Sequence, residues 1–513
     1  MTTRLSSLLK MPLAALLLYG WTAFLAGQPE ALQNARQAFQ AQDYQKTAEI
    51  LRPWLQNHAQ SAQGWLLMGQ AQQRLGRTAE ALQSFQKAAQ AAPEDAQILD
   101  HLGFAQAQSG LMLAAIDTLR EAIRLDAAYG PARYHLGAAL WLAGRPQEAE
   151  EQLRRAVDLM PQDADAHWRL ADALQARGAF AEAVQHLEAA AQARPDSAPL
   201  QHALGAVLQS AGQVEEAIQR FRQALQLQPS LHAARADLGL ALIQSGDAEG
   251  AEEALRQVLE AQPENPIAHH NLGLARLQAG DLEAAAQAFQ KAVQLDPGYA
   301  EAYYNLGLAR KMQDDFTAAL RWLRRSVDLK PTLAEAQFTL GVTLWQQGDL
   351  SAAEGPLRMA TGLRPGYAEA HYILGTLLKQ QGRPQAAIEE FRSALKHNPE
   401  YAEAYNSLGT ALREQGDLEG ARKAIQESLR LNRLKADRQA ANLKTNVGKQ
   451  RLQAGEVEEA IRQFRAAIQL APGYAPAYHQ LGIALSKIGE EEAAREAFEK
   501  ARQLDPALKP PRQ

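Results

Sequence analysis

Residues 62–95 read AQGWLLMGQAQQRLGRTAEALQSFQKAAQAAPED. Apolar residues recur at three- and four-residue steps on either side of Gly76, and Pro93 closes the stretch. That spacing predicts two amphipathic helices joined at a glycine turn. Ala81 in this stretch has counterparts every 34 residues, at 115, 149, 183, 217, 251, 285, 319, 353, 387 and 421, and again at 460 and 494. A period of this length means one supersecondary unit copied end to end.

The register runs through almost the whole chain. Units counted from Gln28 give twelve copies, 28–435, then an insertion at 436–440, two more copies over 441–508, and a tail at 509–513. Glycine fills the eighth column in twelve of the fourteen units, as at Gly69 and Gly103, and the fifteenth column in twelve, as at Gly76 and Gly110. Proline stands at the thirty-second column in eleven, from Pro93 to Pro506.

Each column has a physical role. A glycine at the fifteenth position ends the first helix by taking positive φ with little strain. Small residues at the eighth and twentieth positions let two antiparallel helices approach closely. The proline stops the second helix and starts the turn into the next unit. The first helix is expected over about the second to fourteenth positions and the second over about the eighteenth to thirty-first. No stretch alternates as a strand does, so the predicted class is all-α.

These columns resemble the tetratricopeptide repeat. Trp65, Met68, Gly69, Ala81, Phe85, Ala88 and Pro93 occupy that family's fourth, seventh, eighth, twentieth, twenty-fourth, twenty-seventh and thirty-second positions. Unit 28–61 is degenerate, with Ala35, Gln42 and Thr47 in the signature columns. The resemblance implies a right-handed superhelical solenoid of antiparallel helix pairs. It also implies a concave face lined mainly by first helices, on which a protein or peptide partner is held.

The ends read differently. Arg4 and Lys10 precede an apolar stretch from Met11 to Gly27, with no acid before Glu30. Residues 1–27 are therefore expected to be a secretory signal peptide, which would make the protein periplasmic or secreted. No clean small-x-small cleavage pair ends the stretch, so an uncleaved membrane anchor is the alternative. In the last unit Arg495 and Arg502 stand where other units often carry aliphatic residues, as suits a terminal repeat facing water. With so short a tail, no catalytic domain is expected after the array.

Composition narrows the chemistry. The net charge of −5 gives no global basic footprint for nucleic acid, and without cysteine there are neither disulfides nor thiolate metal sites. His269 and His270 are adjacent and point apart on a helix, while His101 and His135 sit one unit apart. All four are read as structural or surface residues. No catalytic motif, metal site or cofactor-binding loop is found, and an enzyme is not expected. One stretch, 422–451, carries nine cations against Glu427 and Asp437 and lacks the closing proline, with Arg433 in its place. Its second helix should run on by a turn or more. It is either a patch for an anionic partner or headgroups, or simply a solvated long helix joining two sub-arrays.

The candidate binding residues follow from the columns that the resemblance places on the groove, in units 300–435. The second position gives Glu301, Glu335, Glu369 and Glu403; the fifth gives Tyr304, Phe338 and Tyr372. The sixth gives Asn305, and the twelfth Lys311, Trp345, Lys379 and Arg413. Acidic and basic rails with aromatics between them suit an extended peptide or a partner's helix. The rails also have a bland explanation, because acids in a first turn and bases in a last turn complement the helix dipole. Trp141 and Trp168 mark a second patch nearer the N-terminus.

Two known subclasses of the family do not transfer. The chaperone-binding clamp requires asparagine at the ninth position, where this chain has none. The asparagine ladder of the O-linked N-acetylglucosamine transferases is reduced to Asn271, Asn305 and Asn446 at the sixth position. The sequence thus predicts an interaction scaffold, by analogy one that helps assemble a cell-envelope complex. The alternative is a membrane-tethered, self-associating structural element; ranked below it is an enzyme or a substrate-recruiting subunit of a glycosyltransferase-type complex.

Overall fold

In the computed structural model, the described residues, 30–508, form twenty-seven α-helices and no strand. The signal-peptide or anchor segment and the tail lie outside them. No helix among the described residues is long and apolar enough to cross a membrane. The chain divides into two compact units, Met1–Glu264 and Asn265–Gln513.

Within each unit the helices come in pairs. Residues 62–95 form Ala62–Arg74 and Thr78–Ala91, so each helix starts and stops about one position earlier than the sequence suggested. The recurring alanine is the seam of each pair: Ala81, Ala115, Ala149, Ala285, Ala319 and Ala387 are all at most 1% exposed. The glycine of the eighth column meets the large residue of the twenty-fourth. A Cβ built on Gly273 would lie 2.5 Å from the ring of Phe289, and one on Gly103 would lie 2.6 Å from Leu119. Real contacts do not come that close, so the first helix rests its backbone on a Phe or Leu of the second.

Position fifteen ends the first helix with positive φ throughout. All twelve glycines there adopt it, as Gly280 does at φ 82°, and where glycine is missing Gln42 and Asp314 take φ 61° instead. The degenerate first unit therefore keeps the same geometry with other side chains. Its Thr47, in the alanine column, is fully buried and donates its hydroxyl to the Asp43 carbonyl at 2.8 Å. Aspartates one residue past the turn then cap the second helix: Asp281, Asp315 and Asp349 each accept the backbone N–H three residues on.

One pair breaks the pattern. Between Gly420 and Gly448 the sequence has neither glycine nor proline, and a single helix runs from Leu418 to Gln453, 36 residues. The expected extra turn becomes a merger with the first helix of the following unit. With Arg433 in the proline column, nothing stops the helix at the unit boundary.

Candidate partner-binding face

The side chains of successive units interlock by a simple rule of position. Residues at the fifth column reach the sixth column of the next unit, and those at the twelfth reach the thirteenth. Asp100 Oδ1 meets His135 Nδ1 at 2.6 Å, both buried. His202 Nε2 meets Asp237 at 2.6 Å, and the Asn305 amide donates to His270 Nε2 at 2.8 Å. At the twelfth column, the Trp345 indole N–H donates to Gln380 Oε1 at 2.7 Å, and Lys379 pairs with Glu414 at 3.1 Å. Within Met1–Glu264 and within Asn265–Gln513, first helices of successive repeats lie side by side, and in each these bonds stitch neighbouring helices together.

Two further links run within a unit. The second-column acid meets a base at the thirty-first column. Glu301 accepts from Lys330 at 2.7 Å, Glu335 is bonded to Arg364, and Asp165 meets Arg194 at 2.5 Å. The fifth-column aromatic packs on a tyrosine at the thirty-fourth, Phe338 on Tyr367 at 4.8 Å and Tyr372 on Tyr401 at 4.9 Å between ring centroids. Burial pushes the phenols of Tyr367 and Tyr401 up to about 12, so both remain neutral hydrogen-bonding groups at any physiological pH.

The predicted residues thus divide. Tyr304, Phe338, Trp345 and Tyr372 come together as half-buried aromatics on the core of residues 319–424, joined by Tyr401 and Tyr405. Asn305 is buried and committed to His270. Glu301, Glu335 and Lys379 already hold internal partners; the bond from Lys330 lowers the Glu301 pKa, while at Glu335 burial pushes upward and is outweighed by a backbone hydrogen bond and the bond from Arg364. Glu369, Glu403 and Arg413 are exposed and carry no ion pair among the described residues. Lys311 stands apart. It is half-buried, its pKa is lowered by burial, and no carboxylate offsets that. In the N-terminal unit Trp141 packs on a core of Ile116, Leu119, Leu136 and Leu140. Trp168 instead lies near Asp172, whose carboxylate Arg169 holds at 3.0 Å.

Two features escaped the sequence reading. The thirty-fourth-column tyrosines were legible as a column, since Tyr129, Tyr299, Tyr367, Tyr401 and Tyr474 all occupy it. The Asp100–His135 pair was visible only as a 35-residue offset, one more than the repeat. No cluster of three or more His, Asp or Glu placed to hold a metal occurs among the described residues.

Paired helices bonded from one repeat to the next within each unit, with half-exposed aromatics on residues 304–372, define a helical-repeat scaffold. Models of the tetratricopeptide repeat match residues 32–96, 66–130, 102–164, 202–266, 236–300, 271–334, 304–368 and 372–439, and further ones match 140–208, 448–489 and 475–508. The chain belongs to the tetratricopeptide-repeat family, whose architecture is typically that of a non-catalytic scaffold for peptide or protein partners.

No curated protein matches the chain. Among solved structures, the MamA protein is 28% identical over 33% of this chain and 93% of its own, with a TM-score of 0.32. YrrB, described as a TPR protein with an unusual peptide-binding site, is 22% identical over 35% of this chain and 93% of its own, at 0.33. The Cut9-Hcn1 hetero-tetramer of APC/C is similar at 17% identity over 89% of this chain and 97% of the matched chain, at 0.37.

Proposed function

We propose that the first-helix face of residues 300–413 holds an extended peptide or a helix of a protein partner, with the chain acting as a scaffold. The observation that carries this reading is the aromatic run Tyr304, Phe338, Trp345 and Tyr372, half-exposed on a well-packed core, with the unpaired Lys311 on a first helix of the same stretch. Aromatic groups held rigidly and left partly open are the anchors on which protein recognition concentrates. A cation already partly stripped of water, with no internal acid, favours a partner carboxylate. Glu301, Glu335 and Lys379 serve the scaffold itself in this reading. Residues 1–27 support export, which would place the protein in the periplasm or outside the cell and in the assembly of an envelope complex.

The test is cross-linking of the full chain in its own host, followed by mass spectrometry. The comparison is a variant with Tyr304→Ala, Trp345→Ala and Tyr372→Ala together. A partner cross-linked within residues 300–413 and lost from the variant, with helicity unchanged, is the expected result. Equal capture by both would remove the assignment and turn attention to Trp141 and Trp168. Osmotic-shock fractionation checks export: recovery only with the cytoplasm would sink that part of the reading.

A further inference from the structure

The merged helix Leu418–Gln453 presents a face that the scaffold reading leaves unused. Its buried side chains are Ala421, Ala424, Ser428 and Leu431 in the first half and Ala441, Thr445, Gly448 and Leu452 in the second. At 100° per residue these two sets point to neighbouring sides of the helix, so one stripe looks away from both. Leu418, Leu429 and Leu443 stand on that stripe at 68%, 64% and 66% exposure, three of the four most exposed large apolar residues described. Half-buried Val447 lies on the same line, Ile425 at its edge is turned onto Gly409 of the preceding helix, and Arg422, Arg433 and Arg451 interrupt the stripe. Its steps of three and four residues average about 3.7, so the stripe runs straight along the helix rather than winding round it. At 1.5 Å per residue it is about 50 Å long.

The charge on this helix is equally unusual. Residues 422–451 carry nine cations and two acids, in a chain whose net charge is −5. Lys423, Arg430, Arg433 and Arg451 find an acid on the same helix or in the turn that follows it. Arg422, Lys435, Arg438, Lys444 and Lys449 have no ion pair among the described residues. Over residues 432–436 the helix is exposed all round, and Leu434 is 51% exposed there.

We infer that this helix docks in the plane of a bilayer surface carrying anionic headgroups. Three features point to that occupant. Five arginines and lysines without an internal acid favour an anionic surface and would repel a second copy presenting the same helix. A left-handed coiled coil with a partner helix needs apolar residues every 3.5 positions, and Asn432, Gln439 and Asn446 interrupt any such seam. Widely spaced exposed leucines flanked by cations on a straight helix are what an interfacial helix offers to lipid. The leucines enter the acyl boundary, the arginines and lysines meet phosphate, and the solenoid stands off the surface.

The experiment is flotation of the full chain with vesicles of phosphatidylcholine alone or mixed with phosphatidylglycerol. Two variants are compared with the natural chain: Arg422→Glu with Arg433→Glu and Lys444→Glu, and Leu429→Ser with Leu443→Ser. All five positions are exposed or half-buried on one helix, and circular dichroism checks that helicity is kept. The expected result is a preference for the anionic vesicles that weakens with salt. The charge variant loses it by about 100-fold, at roughly fivefold for each cation removed. The leucine variant loses part of it. Equal binding to both lipids would overturn the proposal, since residues 1–27 alone would account for it. So would an anionic preference that the charge variant retains, or no vesicle binding at all.

Discussion

The indole N–H of Trp345 donates to Gln380 Oε1 at 2.7 Å, from the twelfth position of one repeat to the thirteenth of the next. This bond holds a large aromatic group on an open wall by tying together the two helices on which it lies. The ring is therefore fixed before any partner arrives, and binding does not have to order it.

That tie is measurable. Trp345→Phe and Gln380→Ala should each lower stability by about 1 kcal/mol, and the double variant by less than their sum, leaving a coupling of about 0.5–1.5 kcal/mol. A double-mutant cycle on urea unfolding reads this. Additive effects would show that the bond does not persist in solution.

The charged residues of the wall should separate by whether they already have partners. Glu335→Gln should leave affinity for the captured partner nearly unchanged, because Arg364 already occupies the carboxylate. Lys311→Met should weaken it by about 1–3 kcal/mol, the range for a lost charge-assisted bond. Titration calorimetry with the partner peptide distinguishes the two, and the reverse order of effects would refute the assignment.

Two glycines of one repeat should fail in different ways. Gly273→Ala forces a methyl against the Phe289 ring and should cost about 1–3 kcal/mol through overpacking. Gly280→Ala meets no atom within 4 Å but must hold φ at 82°, costing about 1–2 kcal/mol from backbone strain alone. Adding Phe289→Leu should relieve the first variant and leave the second unchanged, as followed by hydrogen exchange of residues 266–296. At Asp314, already at φ 61°, substitution by glycine should stabilise by less than about 1 kcal/mol.

Acidification should loosen the repeats around His270. Burial lowers its pKa, and the amide donated by Asn305 to Nε2 holds the neutral ring. The unfolded chain therefore binds the proton more readily than the folded one. Stability from this group is full above the unfolded value of about 6.5 and falls as pH drops through and below it. His101, lowered by burial, adds in the same direction. His371 opposes them: the Glu390 carboxylate raises its pKa, so its contribution is present at low pH and lost as pH rises. Thermal unfolding between pH 7.5 and 5 should show a decline that His270→Gln reduces. An unchanged slope would mean that His270 does not titrate between the states.

Much of the scaffold was written in the columns. A glycine at 69 and a phenylalanine at 85 already imply that a ring lies on a bare backbone, and the contact is there. The degenerate first repeat shows the limit of residue identity, since Gln42 and Thr47 adopt the geometry of the glycine and alanine they replace. The rest of the repeat imposes it. The binding face was legible as a set of positions and only partly as chemistry. Glu301 and Glu369 occupy the same column, yet one is tied to Lys330 and the other is open, because the thirty-first residue differs.

By itself, the sequence determined the class, the repeat, its seams and its turns. These depend on local conformational preference and on residues at most about one repeat apart. Only the tertiary structure decided which polar groups remain available to a partner, because that depends on pairs set 29 or 35 residues apart across packed helices. It also decided that Leu418, Leu429 and Leu443 face solvent together. A leucine's periodicity gives the side of the helix it occupies, but whether another helix covers that side is settled only when the neighbours are in place.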